Sequence, residues 1–171
     1  MESVWSTRRG TTRSGQGRPW CFSDSVDLAP HTGSVGVARL HVRRVLRAWG
    51  LDEFGDDAEQ VVSEVTANAV ESHRRENLET PVRLTLLAGL RTLLVIVRDG
   101  SAGEPAMGRP GEDDESGRGL FIVNALADQW DVKPLQGGGK AVRVFLRGKR
   151  QACSEAFGDE DERNLHHERV A

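Results

Sequence analysis

The chain has 171 residues, of which 37% are hydrophobic and 29% charged, and its formal net charge is −3. This composition is typical of one folded domain with a buried core, and no basic face is evident that would indicate nucleic-acid binding. The longest apolar runs, such as "LLVIV" from Leu93 to Val97, are too short to cross a bilayer, and no apolar signal segment opens the chain. We therefore expect a cytoplasmic protein that binds neither nucleic acid nor membrane.

Two polar segments flank the predicted domain. Residues 1–18 are rich in Ser, Thr, Gly and Arg, residues 148–171 are polar and acidic, and neither segment has an apolar periodicity. Such segments cannot bury enough apolar surface to offset the entropy lost on ordering, so we predict two disordered tails. The folded domain is then expected at residues 19–147.

The domain opens with a predicted strand and a predicted helix. The strand is "WCFSDS", from Trp20 to Ser25. Ser34 is a residue type that caps helices and Gly50 is one that ends them, so a helix is expected up to Trp49. Its apolar stripe is predicted from four residues: Val37, Leu40, Val45 and Leu46.

A second helix is predicted to start at Asp56. Asp56 and Glu59 have the spacing of a capping box, in which two side chains bond to the backbone N–H groups of the first turn. The helix is expected to reach about His73. Its buried face is predicted from five small or apolar residues: Val61, Val62, Val65, Ala69 and Val70.

The rest of the domain predicts four strands and one helix. "PVRLTLLAG" and "RTLLVIVRD" are typical of a hairpin, and a loop follows at residues 101–116. The helix is expected from Gly119 to Asp128, before two strands, "WDVKPL" and "AVRVFLR", that flank the turn "QGGGK". The order β-α-α-β-β-α-β-β predicts an α+β fold, a two-layer sandwich with helices on one face of a mixed, mostly antiparallel sheet.

Two polar residues interrupt the apolar second helix. Glu64 and Asn68 are four residues apart, so both side chains emerge on the same face. An Asn oxygen can bind a hard cation such as Mg²⁺, and a Glu can accept a proton from a nucleophile. Polar pairs of this kind also occur at the edge of a buried helix face, and taken alone the pattern favours that plainer interpretation.

A third polar position follows the most apolar strand. Asp99 comes directly after "VIVR" and is followed by Gly100 and Gly103. A carboxylate there can accept a hydrogen bond from an amino group of a ligand, and the glycines let the backbone approach closely. Asp-Gly is also a common turn dipeptide, so alone this pattern leaves a ligand site and a turn equally open.

A further signal opens the last helix. Gly117 and Gly119 flank Arg118, and the helix begins near Leu120. A helix N-terminus presents unpaired N–H groups and a partial positive charge, and glycine lets phosphate oxygens reach that backbone. The segment does not continue as a G-x-G-x-x-G dinucleotide fingerprint, and "GGGKA" lacks the Ser or Thr of a P-loop.

In this order the signals resemble the ATP-binding domain of the GHKL superfamily, the Bergerat fold of gyrase, histidine kinases and MutL. The shared pattern is E-x-x-x-N on a helix, D-x-x-x-G after a strand, and G-x-G-L at the start of a helix. It covers roughly residues 56–146. "SEVTANAV", "VRDGSAGEP" and "ESGRGLFIVNALADQWDV" more closely resemble the small bacterial anti-sigma factor serine/threonine kinases.

The resemblance implies a role for each matching residue. It implies that Glu64 is the base toward an attacking hydroxyl, that Asn68 binds Mg²⁺, and that Asp99 binds the adenine amino group of ATP. The other matching positions are expected to contact the nucleotide, one on the adenine side and four on the phosphate side: Gly103, then Gly117, Arg118, Gly119 and Leu120. Residues 104–116 would cover the nucleotide as a lid.

The resemblance also implies a function and partners. It predicts a kinase that phosphorylates Ser or Thr of an anti-sigma antagonist and that also binds a sigma factor, in a family that often forms homodimers. Ser101 stands where the family often has Gly, and we expect it to be tolerated and able to bond to the ligand. Glu71 and Ser72 replace an Arg-His pair, which is expected to weaken phosphate binding, and Ala141 is expected to remove a hydroxyl from the adenine pocket.

Because of these departures, a catalytically idle module that binds ATP and a partner remains an alternative. A sensor histidine kinase fragment is another, and it would require a phospho-accepting His on a helix pair before the ATP domain. His41 lies on a predicted helix, but only one such helix precedes that of Glu64. Gyrase-type and MutL-type proteins need a longer lid and a second domain, which we do not expect within 171 residues.

Overall fold

The computed structural model describes residues 20–89, 91–103 and 119–148. Outside these ranges lie the predicted tail at 1–18, the predicted tail at 148–171 apart from residue 148, the predicted lid at 104–116, and the predicted site residues Gly117 and Arg118. The described helices and strands follow the predicted order: β1 (Trp20–Leu28), α1 (Ser34–Ala48), a short 3-10 helix (Asp52–Phe54), α2 (Gly55–Glu76), β2 (Val82–Gly89), β3 (Thr92–Asp99), α3 (Gly119–Leu126), β4 (Gln129–Pro134) and β5 (Lys140–Arg147).

The domain is built on a five-stranded sheet with the strand order β1-β2-β3-β5-β4. Every pairing between the described strands is antiparallel. The prediction of an α+β fold is confirmed. We expected a mixed, mostly antiparallel sheet, and the described strands form an entirely antiparallel one. β3 is the central strand, between β2 and β5, and Asp99 at its end pairs with Lys140 of β5.

The core lies between one face of the sheet and the helices. Side chains alternate along a strand, and in β3 the residues that face the helices are Leu93, Val95 and Val97, all fully buried. α2 contacts α1, α3 and β3. Its predicted buried face is confirmed for all five residues: Val61, Val62, Val65, Ala69 and Val70.

The opposite face of the sheet carries a smaller apolar cluster. Leu94, Ile96 and Ala141 are buried there, with Phe145 packed against them. Across β4 and β5, Arg143 donates from Nε to Asp131 Oδ1 at 2.7 Å. This hydrogen bond holds the pKa of the Asp131 carboxyl below its ordinary value.

α1 buries a different stripe from the predicted one. Its buried residues follow one another at four-residue spacing: Ser34, Ala38, Val42 and Leu46. Val37 is 40% exposed and Leu40 is 63% exposed, so the prediction was wrong for these two. The prediction counted large apolar residues, whereas small residues at Ser34 and Ala38 line the face that packs on the core.

The predicted N-terminal caps of both helices are also wrong. Within the described residues, neither α1 nor α2 has a side-chain hydrogen bond at its N-cap. Ser34 instead donates from Oγ to the carbonyl of Ala29 at 2.6 Å. Glu59 accepts two hydrogen bonds from Arg43 of α1, at 2.6 and 2.7 Å. Ser34 therefore bonds to the loop before α1 and Glu59 bonds to the neighbouring helix. α2 begins at Gly55 as a continuation of the 3-10 helix.

None of the helices in residues 20–89, 91–103 and 119–148 has the length and apolar character that crossing a membrane requires.

Truncating Leu86 should destabilise the fold strongly. Leu86 is fully buried in β2, so Leu86→Ala leaves a cavity that lowers the free energy of unfolding by about 2–5 kcal/mol. Leu40→Ala is the matched control, because Leu40 is exposed and its truncation should change stability by less than about 0.5 kcal/mol. Urea unfolding followed by tryptophan fluorescence measures both. Equal stabilities for the two variants would contradict the placement of β2 in the core.

Candidate functional site

Glu64 and Asn68 lie one turn apart on the partly exposed face of α2. Their neighbours Val65 and Ala69 are buried in the core, so packing fixes the direction in which α2 presents the two polar side chains. Gln60 donates from Nε2 to Glu64 Oε1 at 3.1 Å. Because this hydrogen bond occupies Oε1, Oε2 is the carboxylate oxygen left for another partner.

The start of α3 lies directly against this carboxylate. A Cβ atom at Gly119 would come within 2.6 Å of Glu64 Oε2 and 3.4 Å of Glu64 Cβ. A glycine allows this approach, because any side chain would displace the Glu64 carboxylate. Leu120 is buried in the core, so it anchors the first turn of α3 and only its backbone remains for a ligand. The structure thus brings the predicted phosphate-side helix to the predicted base.

Asn68 has an unpaired polar group. Its Nδ2 is buried and has no hydrogen-bond partner among the described residues. A buried donor without a partner costs about 1–3 kcal/mol, so a ligand that pairs with it is favoured. A half-turn of the amide exchanges the nitrogen for the oxygen, so this position can present either a donor or a cation ligand.

Asp99, at the end of β3, is only 4% exposed. Its Oδ1 accepts hydrogen bonds from the backbone N–H of Ser101 at 2.9 Å and from Lys140 Nζ at 3.0 Å. The Ser101 hydroxyl also bonds to Oδ1. All the hydrogen bonds that described residues make to this carboxylate go to Oδ1, so Oδ2 is the oxygen that can receive a ligand donor.

Lys140 is a site residue that the sequence motifs did not reveal. The β3–β5 register places it directly opposite Asp99, and it is 6% exposed. Besides the Asp99 carboxylate, its ammonium group contacts the hydroxyl and the carbonyl of Ser101. The strand alternation carries a signal for this position, because Lys140 is in phase with the core residues Val142 and Val144.

The same alternation corrects the expectation about Ala141. Ala141 pairs with Arg98 and packs with Leu94 and Ile96, on the sheet face that points away from the helices. Asp99 lies on the other face, where it is bonded to Lys140. A hydroxyl at position 141 would therefore point away from the Asp99 carboxylate, and its absence removes nothing from that end of the site.

His73 of α2 contacts the same region from the helix layer. It is fully buried, its Nε2 accepts a hydrogen bond from the backbone N–H of Gly100 at 2.9 Å, and Nε2 lies 4.0 Å from Asp99 Oδ1. An accepting Nε2 carries no proton, so the ring hydrogen is on Nδ1, which has no partner among the described residues. The Asp-Gly turn is thereby tied to α2.

The segment after Asp99 is also tied to the end of α2. The backbone N–H of Ala102 donates to Glu76 Oε2 at 3.2 Å. A Cβ atom at Gly103 would lie 3.7 Å from Glu76 Oε1, an ordinary contact distance. Gly103 therefore lies next to the site, but packing against the described residues does not require a glycine there.

A family model of the histidine kinase-like ATPase domain matches residues 28–146, well over half of the 171 residues. The chain belongs to the histidine kinase-like ATPase family. A search of curated proteins found no match. As a member of this family within the GHKL superfamily, the protein is an ATP-binding, kinase-like module, as the order of the motifs predicted.

The described residues of this histidine kinase-like ATPase domain fit a bound nucleotide at three points. These are the close approach of Gly119 to Glu64, Asn68 Nδ2, which has no partner among the described residues, and Asp99 Oδ2, which accepts none of the hydrogen bonds that those residues make to this carboxylate. Within the described ranges, no group of three or more His, Cys, Asp or Glu residues could hold a metal ion by itself. The assignment of Mg²⁺ to Asn68 stays a prediction.

Gly139→Ala should weaken ATP binding through the backbone of Asp99. Gly139 has a φ of +80°, and a Cβ atom there would collide with the carbonyl oxygen of Asp99 and lie 3.0 Å from the Cα of Gly100. Moving that backbone misplaces the carboxylate, and we expect a loss of affinity of about tenfold or more, equivalent to at least about 1.4 kcal/mol. Isothermal titration calorimetry with ATP measures it.

Gly137→Ala is the matched control. Gly137 has a φ of +94°, so an alanine there is strained in a similar way, but no described atom lies within 4 Å of its added Cβ. It should lower stability by about 1–3 kcal/mol and leave the ATP affinity unchanged. Equal ATP affinities for the two variants would contradict the coupling of this turn to Asp99.

Proposed function

We propose that this histidine kinase-like ATPase domain is a serine/threonine kinase that also acts as an anti-sigma factor. It binds ATP with Mg²⁺, transfers the γ-phosphoryl group to a Ser or Thr of an anti-sigma antagonist, and binds a sigma factor. The observation that supports this best is the contact of Gly119 with Glu64, one helical turn from Asn68. The proposed base therefore lies beside a helix N-terminus, with the proposed cation ligand one helical turn away.

The helix N-terminus suits the phosphate groups. α3 is eight residues long, and the N–H groups of its first turn have no partner within the helix. These groups and the helix dipole attract negative charge. Phosphoryl transfer depends mainly on positioning and on electrostatic stabilisation, so few reactive side chains are needed. Bound Mg²⁺ supplies the remaining neutralisation of phosphate charge, and Asn68 is the residue that would hold it.

Glu64 suits the proton transfer. Oε1 is held by Gln60, and Oε2 lies beside the phosphate-side helix. In this position the carboxylate accepts the proton of the acceptor hydroxyl while that oxygen forms its bond to the γ-phosphorus and the bond to ADP breaks. The hydrogen bond from Gln60 orients the carboxylate and leaves one oxygen for the proton.

Asp99 suits the nucleobase. Its Oδ2 is an acceptor at the buried end of the site, and the amino group of adenine is a donor. A purine with a carbonyl oxygen at this place would put two acceptors together. The carboxylate thus favours adenine over a 6-oxo purine, which agrees with the ATP-binding character of the family.

The antagonist and the sigma factor are proposed from the resemblance to anti-sigma factor kinases. The segments that carry it within the described residues surround Glu64 and Asn68 in α2 and Asp99 in β3. Phosphorylation of the antagonist would then be the step that decides whether the sigma factor is held or released.

A catalytically idle module that binds ATP and a partner is the second candidate. Glu71 favours it, because this carboxylate lies three residues after Asn68, near the predicted phosphate side. Arg74 contacts Glu71 at 3.0 Å and offsets its charge. Ser72, the other departure, is buried and adds no charge. The kinase therefore remains the better supported function.

The surroundings of His41 argue against a histidine kinase fragment in which His41 is the phospho-accepting residue. The Nε2 atom of His41 lies 2.6 Å from Asp24 Oδ1, and the side chain is only 15% exposed. A phospho-accepting histidine must be reached by the γ-phosphate, whereas this one is bound between α1 and β1.

Replacing Glu64 should reduce phosphoryl transfer and leave ATP binding nearly unchanged. Glu64→Gln keeps the shape and the hydrogen bond with Gln60 but cannot accept the proton, so phosphoryl transfer should fall about 10²–10⁴-fold. Its ATP affinity should stay within about threefold of the wild type. Radiolabelled ATP with a candidate antagonist measures the transfer, and calorimetry measures the binding.

Glu71→Gln is the control, since it removes from the same helix a carboxylate whose ion-pair partners within the described residues are Arg74 and Arg75, and it should retain transfer. If Glu64→Gln phosphorylates the antagonist as fast as the wild type, the base is another residue. If the wild type binds ATP stoichiometrically and no phosphoprotein forms, the idle module is the correct function.

A further inference from the structure

All three donors of the Lys140 ammonium group are engaged within the described residues. One reaches Asp99 Oδ1 at 3.0 Å, one the hydroxyl of Ser101, and one the carbonyl of Ser101 at 3.5 Å. Lys140 and Asp99 are both buried. The ammonium group therefore has little capacity left for a ligand, and its main partner is the carboxylate that faces the nucleobase.

The ion pair changes the strength of that carboxylate as an acceptor. Hydrogen bonds to an ionised group are about twice as strong as those between neutral groups. A buried ammonium group at 3.0 Å neutralises much of the charge on Asp99. A ligand amino group that donates to Oδ2 therefore forms a weaker hydrogen bond than it would form with a carboxylate that has no cation beside it.

We propose that Lys140 is an internal competitor for Asp99 that limits the affinity of the site for adenine nucleotides. The inference rests on the proposed nucleotide site and assigns a specificity-determining role to a residue outside its motifs. Lys140 donates to Oδ1 and offsets the charge of the carboxylate, whereas the purine amino group would donate to Oδ2.

The loss of one partner of this buried pair affects the protein even without a ligand. A buried carboxylate that loses its partner is strongly destabilising, so Asp99 without Lys140 gains more from any donor that enters the site. Removing the ammonium group should therefore strengthen the binding of a ligand with an amino group. It should not strengthen the binding of a ligand that lacks one, because such a ligand offers Asp99 no donor at the same position.

The test compares ATP with inosine triphosphate, which carries a carbonyl oxygen where ATP has the amino group. Lys140→Met removes the charge and keeps a long unbranched side chain. Calorimetric titration of the full chain should show that Lys140→Met binds ATP about tenfold more tightly than the wild type, as expected when the cation that offsets the charge of the Asp99 carboxylate is removed. The affinity for inosine triphosphate should not rise, so the ratio of the two affinities should rise about tenfold.

Two further variants make the test independent of one substitution. Lys140→Arg keeps the cation and should hold the affinity ratio within about threefold of the wild type. Lys140→Gln removes the charge but keeps a donor to Asp99, so it should raise the ratio even if Lys140→Met does not fold.

An ATP affinity that stays equal or falls in the uncharged variants overturns the inference, because Lys140 would then support the ligand. A gain that inosine triphosphate shares also overturns it, because the gain would not pass through the amino group. If the wild type binds ATP and either of these two results is found, the inference fails but the proposed nucleotide site still stands. Absence of nucleotide binding in every form overturns the site and the inference together.

Discussion

The rest of the site depends on the orientation of α2 about its own axis, which decides which of its faces packs into the core. Its buried residues, among them Val61, Val65 and Ala69, lock one face into the core. The opposite edge then presents Glu64 next to the start of α3, with Asn68 one turn further along α2. Nine residues after Glu64, roughly 13 Å along the helix axis, the same helix places His73 under the Asp99-Gly100 turn. One helix thus holds both ends of the site at a fixed separation.

The two ends differ in their electrostatics. Near Glu64 the site is partly exposed and lies at a helix N-terminus, which suits mobile, highly charged phosphates. Near Asp99 it is buried, and the carboxylate is already paired with Lys140. Burial makes such a pair sensitive to the loss of either partner. At the proposed nucleobase end, recognition and stability would therefore depend on the same pair of side chains, so a change that improves one should reduce the other.

The sequence predicted the order of the elements and the buried face of α2, because a long apolar periodicity leaves few alternatives. It was wrong on Leu40 in α1, where small residues line the packed face, and on Glu59, whose carboxylate binds Arg43 instead of capping α2. Lys140 and His73 were missed because their roles come from strand register and helix packing, which join residues far apart in the chain. Short motifs locate residues such as Asp99 but do not reveal which distant side chains bind them.

The central claim is that α2, the end of β3 and the start of α3 form one ATP site. Thermal unfolding of the full chain with increasing Mg²⁺-ATP tests it most directly. The account predicts that stability rises with the logarithm of ATP concentration and reaches about 2.7 kcal/mol at a hundred times the dissociation constant. A transition temperature that does not change up to millimolar Mg²⁺-ATP would contradict the account.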